Sequence, residues 1–529
     1  MPLNDRRQWL QMAASAAGAM CLPGAAWAQN PNPDKYPFEL GVASGSPTHD
    51  GVVLWTRCLL GSSNLSNAQD VTVRWEVAND VHFRQIVLKG LSNAAAALAY
   101  SVHVELQSLQ PDRWYFYRFM LGDAISPVGR TRTLPAPDAT VESLKLAYAS
   151  CQKWEDGYFT AWRHMRADNP DLVLFLGDYI YEYPGTSSKF RVPGGGWVLT
   201  LDEYRARYAL YKSDPDLQTM HASCPWLMVW DDHEVQNDYA GDQAGDGGPP
   251  GWDVAQFTAR KAAAYQAYYE HMPLRASVLT RALQGLRTGA EMRLYSHLRY
   301  GKLASLYLLD GRQYKDPQVC SSGGKQGSSM VEPSRCSEWN DPRRSYLGVA
   351  QEHWLDKQLA GEAQGAPVWT VIGQPTLFGL RDTGNGDQKQ LWNDGWDGYP
   401  MARQRLTDSL QRHAAPNPVF MGGDVHENWV GHVLADYSKP QSKVLGVEFC
   451  GTSITSRANK SDSTAAQLAR NPHFVFADSR HRGYGLALFG PHQLNVRLRV
   501  VDDVTQKDTK ISTLASFEVK TGKSRLRLM

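Results

Sequence analysis

The sequence predicts an α/β protein in two parts, an all-β sandwich followed by a two-sheet domain layered α/β/β/α. Three observations carry this expectation. Residues 35–138 hold short β-branched and aromatic runs separated by turn residues. From residue 142, near-continuous apolar runs alternate with amphipathic helical patterns. Further β patterns at 444–450 and 486–501 call for a second sheet. A chain of 529 residues, 42% hydrophobic, exceeds one ordinary core and is too apolar to remain disordered.

The first residues read as an address. Arg6-Arg7 precede an Ala-rich apolar run that ends at Ala26-Trp27-Ala28, a small-x-small cleavage pattern. Residues 1–28 therefore read as a twin-arginine signal peptide, handled by the twin-arginine export machinery and delivering a folded protein to the periplasm or outside. The alternatives are a plain secretory signal or an N-terminal anchor. The run is too short and Ala-rich to span a bilayer stably. No other stretch is apolar enough for a membrane span in the mature chain. With 55 Lys+Arg against 54 Asp+Glu, the chain is not a polycation built to bind nucleic acid.

The elements follow in order. Strands are predicted at 52–55, 71–77, 101–106 and 114–120, punctuated by Gly61-Ser62-Ser63 and Pro111-Asp112. Their spacing suits an immunoglobulin- or fibronectin-like sandwich over 35–138, closed by the linker Leu134-Pro135-Ala136-Pro137. The catalytic-size domain spans 142–505, with buried strands predicted at 144–149, 172–176, 226–230, 303–309, 368–372 and 419–421. Helical patterns lie at 158–165, 201–211, 253–271, 351–359 and 401–413. Residues 506–529 read as a C-terminal extension.

Six cysteines outlast removal of the signal: Cys58, Cys151, Cys224, Cys320, Cys336 and Cys450. No Cys-x-x-Cys pair exists, so a zinc cluster is not indicated. Cys320 and Cys336 flank a Gly/Ser-rich loop, a reasonable disulfide in an oxidising compartment.

The chemistry sits just beyond the strands, where α/β sheets bind ligands. Strand 144–149 runs into Ser150-Cys151, and strand 172–176 into Gly177-Asp178-Tyr179-Ile180-Tyr181. Strand 226–230 runs into Asp231-Asp232-His233-Glu234-Val235-Gln236-Asn237, and strand 419–421 into Gly422-Gly423-Asp424-Val425-His426. Each fragment alone is commonplace: a turn aspartate, a buried cysteine, an acidic helix start. Together they gather thiolate, phenolate, carboxylate and imidazole. Cys and Tyr bind as anions, which a trivalent ion favours, and carboxylate and amide oxygens suit a harder divalent ion beside it.

On these stretches, with Trp230-Asp231-Asp232-His233-Glu234-Val235, Leu309-Asp310-Gly311-Arg312-Gln313-Tyr314, Asp394-Gly395-Trp396-Asp397-Gly398-Tyr399-Pro400 and Gly422-Gly423-Asp424-Val425-His426-Glu427-Asn428-Trp429, the sequence resembles the PhoD-type alkaline phosphatases of the calcineurin-like metallophosphoesterase superfamily. The resemblance covers nearly the whole mature chain and implies a metallophosphoesterase catalytic domain. It implies Fe3+ on Cys151, Asp178, Tyr181 and His426, and Ca2+ on Asp178, Asn237 and Asp424, with Asp178 bridging. Asp232 stands where the superfamily usually carries Asn, so either Asp232 or Asn237 supplies the direct calcium contact. Arg312 is implied as a contact to phosphate or to the ligands. His233 is implied to stabilise the transition state or protonate the leaving group.

The implied activity is hydrolysis of a phosphate mono- or diester by a metal-activated hydroxide or oxide. The same site would equally suit a phosphodiesterase of phospholipase D type, or one directed at teichoic acid or nucleotides. Pocket shape decides between them. A non-catalytic envelope binding protein is the distant alternative, and the complete ligand set argues against it.

Overall fold

Leu172–Leu176 shows why these segments become strands: five consecutive apolar residues, all buried, with neighbours on both faces. The computed structural model describes residues 35–60, 69–185, 190–246, 254–280, 291–321, 327–362, 365, 367–439, 441–457 and 464–529. The signal peptide expected at 1–28, with Arg6 and Arg7, lies outside the described residues.

Two sheets form the heart of the molecule. One is ten-stranded and contains Leu144–Ala149, Leu172–Leu176 and Trp226–Val229 side by side and parallel. The other is seven-stranded and contains Ala304–Leu308, Trp369–Gly373, Pro418–Gly422 and Val444–Cys450, also parallel neighbours. Alternation along each strand sorts side chains to opposite faces. Leu144, Leu146, Leu172, Leu174 and Leu176 meet Leu306, Val371, Val419, Met421 and Val447 between the sheets. The other face of the first sheet, with Ala147, Val173, Phe175 and Trp226, is covered by helices Thr160–Asp168, Leu201–Lys212, Pro215–His221 and Val254–His271. Tyr307, Ile372 and Phe420 of the second sheet lie against helices Val349–Gly361 and Pro400–Arg412. This is the α/β/β/α layering the sequence predicts. No described helix is long and apolar enough to cross a membrane.

The N-terminal sandwich is present, and it is not a detached bead. Val42–Gly45, Val53–Arg57 and Ser101–Glu105 continue the ten-stranded sheet, entering it where Gly45 pairs in parallel with Trp226. A second, five-stranded sheet including Val71–Ala78, Ile86–Ala94 and Trp114–Leu121 faces these strands. Val42, Leu54, Val102 and Val104 close the core against Val73, Val77, Tyr117 and Phe119.

Residues 506–529 are a correction to the expected extension. Ile511–Lys520 and Leu526–Leu528 are the last two strands of the ten-stranded sheet. Phe517 and Val519, two apart, both turn inward, so the segment is bound by its own alternating pattern. The β pattern at 486–501 divides into Arg482–Phe489 and Gln493–Val501, an antiparallel pair. Cys320 and Cys336 form a disulfide.

Candidate metal centre

Four strand ends deliver the site, and three of them turn sharply. Cys151, Asp178, Asp424 and His426 have φ of 58°, 58°, 66° and 57°, in the left-handed region that non-glycine residues rarely enter. Each such residue costs about 1–3 kcal/mol, so the surroundings must hold it in place. The Glu234 carboxylate supplies much of that hold. It accepts the backbone N–H of Asp178 at 3.1 Å, of Tyr179 at 2.6 Å and of Asp231 at 2.9 Å. Gly177, with φ of 99°, is needed beside it, because a Cβ there would lie 2.5 Å from Cβ of Asp231. Cys151 is tied to the next strand end through its N–H to the Gly177 carbonyl at 3.0 Å.

The side chains converge accordingly. Ligand atoms of Cys151, Asp178 and His426 all lie within 4.8 Å of one another. The Tyr181 hydroxyl joins them, 3.0 Å from Oδ2 of Asp178 and 3.2 Å from Nε2 of His426. Nδ1 of His426 is 3.0 Å from the Arg457 carbonyl, which fixes Nδ1 as the protonated nitrogen and turns the Nε2 lone pair inward. Burial, then the Arg482 charge, lowers His426 to about 4, so its imidazole is neutral and able to ligate.

A second group shares Asp178: its carboxylate, that of Asp232 and the His233 ring also lie within 4.8 Å of one another. Nδ1 of His233 is 2.7 Å from Oε2 of the fully buried Glu182. Burial alone would lower His233, but Glu182, Asp232 and Asp178 together hold it well above its ordinary value. Oε1 of Glu182 also accepts the Asn237 N–H at 2.8 Å.

Not every expected residue joins these groups. Asp424 points at Thr376, whose hydroxyl donates to Oδ2 at 2.6 Å. The Asn237 side-chain amide donates to Asp246 at 2.5 Å, and Asp232 lies beside Asp178. Arg312 is buried behind the centre. Its guanidinium is bound by Asp231, by Asp394 at 2.7 Å and by Asp232 at 3.5 Å, which leaves it braced as a support for the Asp231-Asp232 turn.

Several participants escape a reading of the sequence. Ser456 donates from Oγ to the Tyr181 hydroxyl at 2.7 Å across 275 residues of chain. Glu182 and Glu234 were inside visible motifs, but nothing local marks a carboxylate as a brace. A third carboxylate group, Asp232, Asp238 and Asp394, lies next to Arg312 and Lys315.

The donor set fits a cation. Oδ1 of Asp178 and Oδ2 of Asp231 are buried without a hydrogen-bond partner. Burial, then the Asp178 charge, drives the Cys151 thiol well above its ordinary range. Burial, then Asp178 and Cys151, does the same to the Tyr181 phenol. An anionic form of this cluster needs positive charge among its oxygens and sulfur.

Sequence comparisons agree with the geometry. The PhoD-like phosphatase family pattern matches residues 146–498, and that of the PhoD-like phosphatase N-terminal domain matches residues 24–135. Alkaline phosphatase D of Bacillus subtilis (strain 168) is 42% identical over 542 aligned positions, covering 99% of this chain and 89% of that protein. A solved structure of PhoD superposes with a TM-score of 0.85 at 42% identity, over 94% of this chain and 93% of the other. With both halves matched and the fold shared along nearly its whole length, the chain belongs to the PhoD-like phosphatases, a family of phosphoesterases.

Proposed function

We propose that this phosphoesterase is exported and metal-dependent, and that it hydrolyses phosphate monoesters and diesters at an Fe3+/Ca2+ centre. The observation that carries the reading is the meeting of Cys151, Asp178 and His426 within 4.8 Å around a buried, unpartnered Asp178 oxygen. Cys151, Asp178, Tyr181 and His426 would hold the ferric ion, which suits one soft and two hard anionic donors with a neutral imidazole. Asp178 and Asp424, with Asp232 or Asn237, would hold calcium through oxygen. When bound, the ions supply Lewis acidity toward phosphate and activate water for attack.

The chain's own residues do the rest. Glu182 fixes His233 by Nδ1, with the ring grouped with Asp178 and Asp232. From there His233 can stabilise charge on the phosphoryl oxygens or donate its proton to the departing alkoxide. Ser456 holds the Tyr181 hydroxyl, and Thr376 holds the Asp424 carboxylate.

Acceptance of diesters beside monoesters is supported by one observation. Half-buried Tyr183, 5.1 Å from His233 between ring centres, is backed by half-buried Trp197 at 5.4 Å and offers a wall for a second ester substituent. The test is elemental analysis of native protein with p-nitrophenyl phosphate and bis(p-nitrophenyl) phosphate as substrates. Activity should vanish in chelator and return with Ca2+. Full turnover by metal-free protein would overturn the proposal. Export is tested separately, by changing Arg6-Arg7 to Lys-Lys. The precursor should then stay in the cytoplasm, and normal delivery would count against the twin-arginine route.

A further inference from the structure

The geometry points to Lys153 as a substrate-charge selector that binds a non-bridging phosphate oxygen and favours dianionic monoesters over monoanionic diesters. This inference rests on the phosphoesterase centre proposed above and adds a residue to it.

Among the described residues, the cations around the centre divide into those already engaged by a carboxylate or carbonyl and Lys153. Arg312 and Lys315 are bound to carboxylates. Arg207 serves the carbonyls of Tyr181 and Tyr183. Arg482 is spent on the His426 and His481 carbonyls and the Thr452 hydroxyl, each at 2.7 Å, and on Ser479. Arg457 faces Asp156 at 3.9 Å. Lys153 makes no ion pair among the described residues. Its ammonium instead lies 5.2 Å from the ring centre of Tyr181 and 5.0 Å from that of Tyr183.

Those two rings place it. Tyr181 carries the hydroxyl that meets Asp178 and His426, and its ring is 4.1 Å from the His233 ring. The Tyr183 ring is 5.1 Å from His233. Lys153 and His233 therefore flank the same tyrosine pair at the edge of the centre.

The root of Lys153 is fixed, and its ammonium rests on the two tyrosine rings. Its N–H donates to Ser456 Oγ at 3.2 Å, and its carbonyl accepts the Thr455 hydroxyl at 2.8 Å. Preceding it, Gln152 is locked between the Tyr179 carbonyl at 3.0 Å and the Trp162 indole at 2.9 Å. This rigidly mounted, half-buried ammonium acts on the neighbouring Glu155 carboxylate without forming an ion pair to it, and so stays open to an incoming anion. A dianion gains more from that charge than a monoanion does.

The experiment compares wild type, Lys153→Gln and Lys153→Arg as holoenzymes, with thermal melts to verify folding. In Lys153→Gln, KM for p-nitrophenyl phosphate should rise about tenfold and KM for bis(p-nitrophenyl) phosphate about threefold. The fall in kcat should be smaller than either. Binding of inorganic phosphate, measured calorimetrically, should weaken in parallel with the monoester KM, and Lys153→Arg should restore most of the preference. Equal changes for both esters, a loss in kcat alone, or unchanged phosphate affinity would overturn the assignment. The phosphate arm needs no turnover. A wild type that cleaves neither ester but binds phosphate through Lys153 would overturn the proposed function and leave this inference standing.

Discussion

Oε2 of Glu182 lies 2.7 Å from Nδ1 of His233, and both side chains are buried beside the Asp178–Asp232 group. The carboxylate sets the tautomer and the direction of the ring, and its other oxygen holds the Asn237 backbone. A glutamine of the same shape keeps the packing and loses the charge that sustains a protonated imidazole. Glu182→Gln should therefore lower kcat by about 10–100-fold with little change in KM. Steady-state kinetics on both nitrophenyl esters checks this. A rise in KM with unchanged kcat would mean that His233 acts in binding rather than in the chemical step.

Cys151 and Cys224 offer a matched pair, since both are buried free cysteines near the ends of the same sheet. Cys151 shares its group with Asp178 and His426; Cys224 lies among Trp162, Met220 and Trp226 in the hydrophobic core. Each change to Ala should cost roughly 0.5–3 kcal/mol of stability. Only Cys151→Ala should also lose iron, visible colour and turnover. Iron content and the absorption spectrum decide it, and an iron-replete, active Cys151→Ala would refute the thiolate ligand.

How much of this was legible in the sequence follows from distance along the chain. Strands such as Leu144–Ala149 and Leu172–Leu176 declare themselves, because burial on both faces demands a near-continuous apolar run. The residue after each run is legible for the same reason. Ser456 and Thr376 are not: their partners, Tyr181 and Asp424, lie 275 and 48 residues away. Arg312 illustrates the opposite difficulty. Its motif stands out, but its place behind the centre depends on Asp231 and Asp394, which approach it from other elements. The continuation of the N-terminal strands into the main sheet was hidden too, since a single pairing of Gly45 with Trp226 makes the junction.

The Cys320–Cys336 disulfide closes a loop that reaches the centre's carboxylate surround. Midway along it Ser328 binds the Asp238 carboxylate, and just before Cys320 the Val319 carbonyl accepts the Asn393 amide at 2.8 Å. With a sequence separation of 16, the cross-link should contribute about 3 kcal/mol, largely by restricting the unfolded chain. Replacing both cysteines by serine should lower the urea midpoint by a corresponding amount. An unchanged midpoint would show that contacts at Asp238 and Asn393 alone hold the loop.

Lys212 predicts an unusual pH dependence of stability. It is fully buried at the end of helix Leu201–Lys212, with its ammonium 4.2 Å from the Trp55 ring centre and 5.4 Å from that of Tyr179. Burial lowers its pKa from 10.5 to about 7. Below about pH 7 the side chain is charged in both folded and unfolded states, and the native state carries the whole desolvation penalty. Between about pH 7 and 10.5 the unfolded chain holds a proton that the native state has released, so this group makes stability rise with pH. Above that window it contributes no penalty. Lys212→Met keeps the length and removes the charge, so it should stabilise the protein by roughly 2–4 kcal/mol at pH 6. The advantage should shrink steadily as pH rises through the window. Denaturant unfolding of both proteins at several pH values measures the difference directly, which cancels the titration of every other group. A constant difference across the range would mean that Lys212 stays charged in the native state, sustained by the Trp55 and Tyr179 rings.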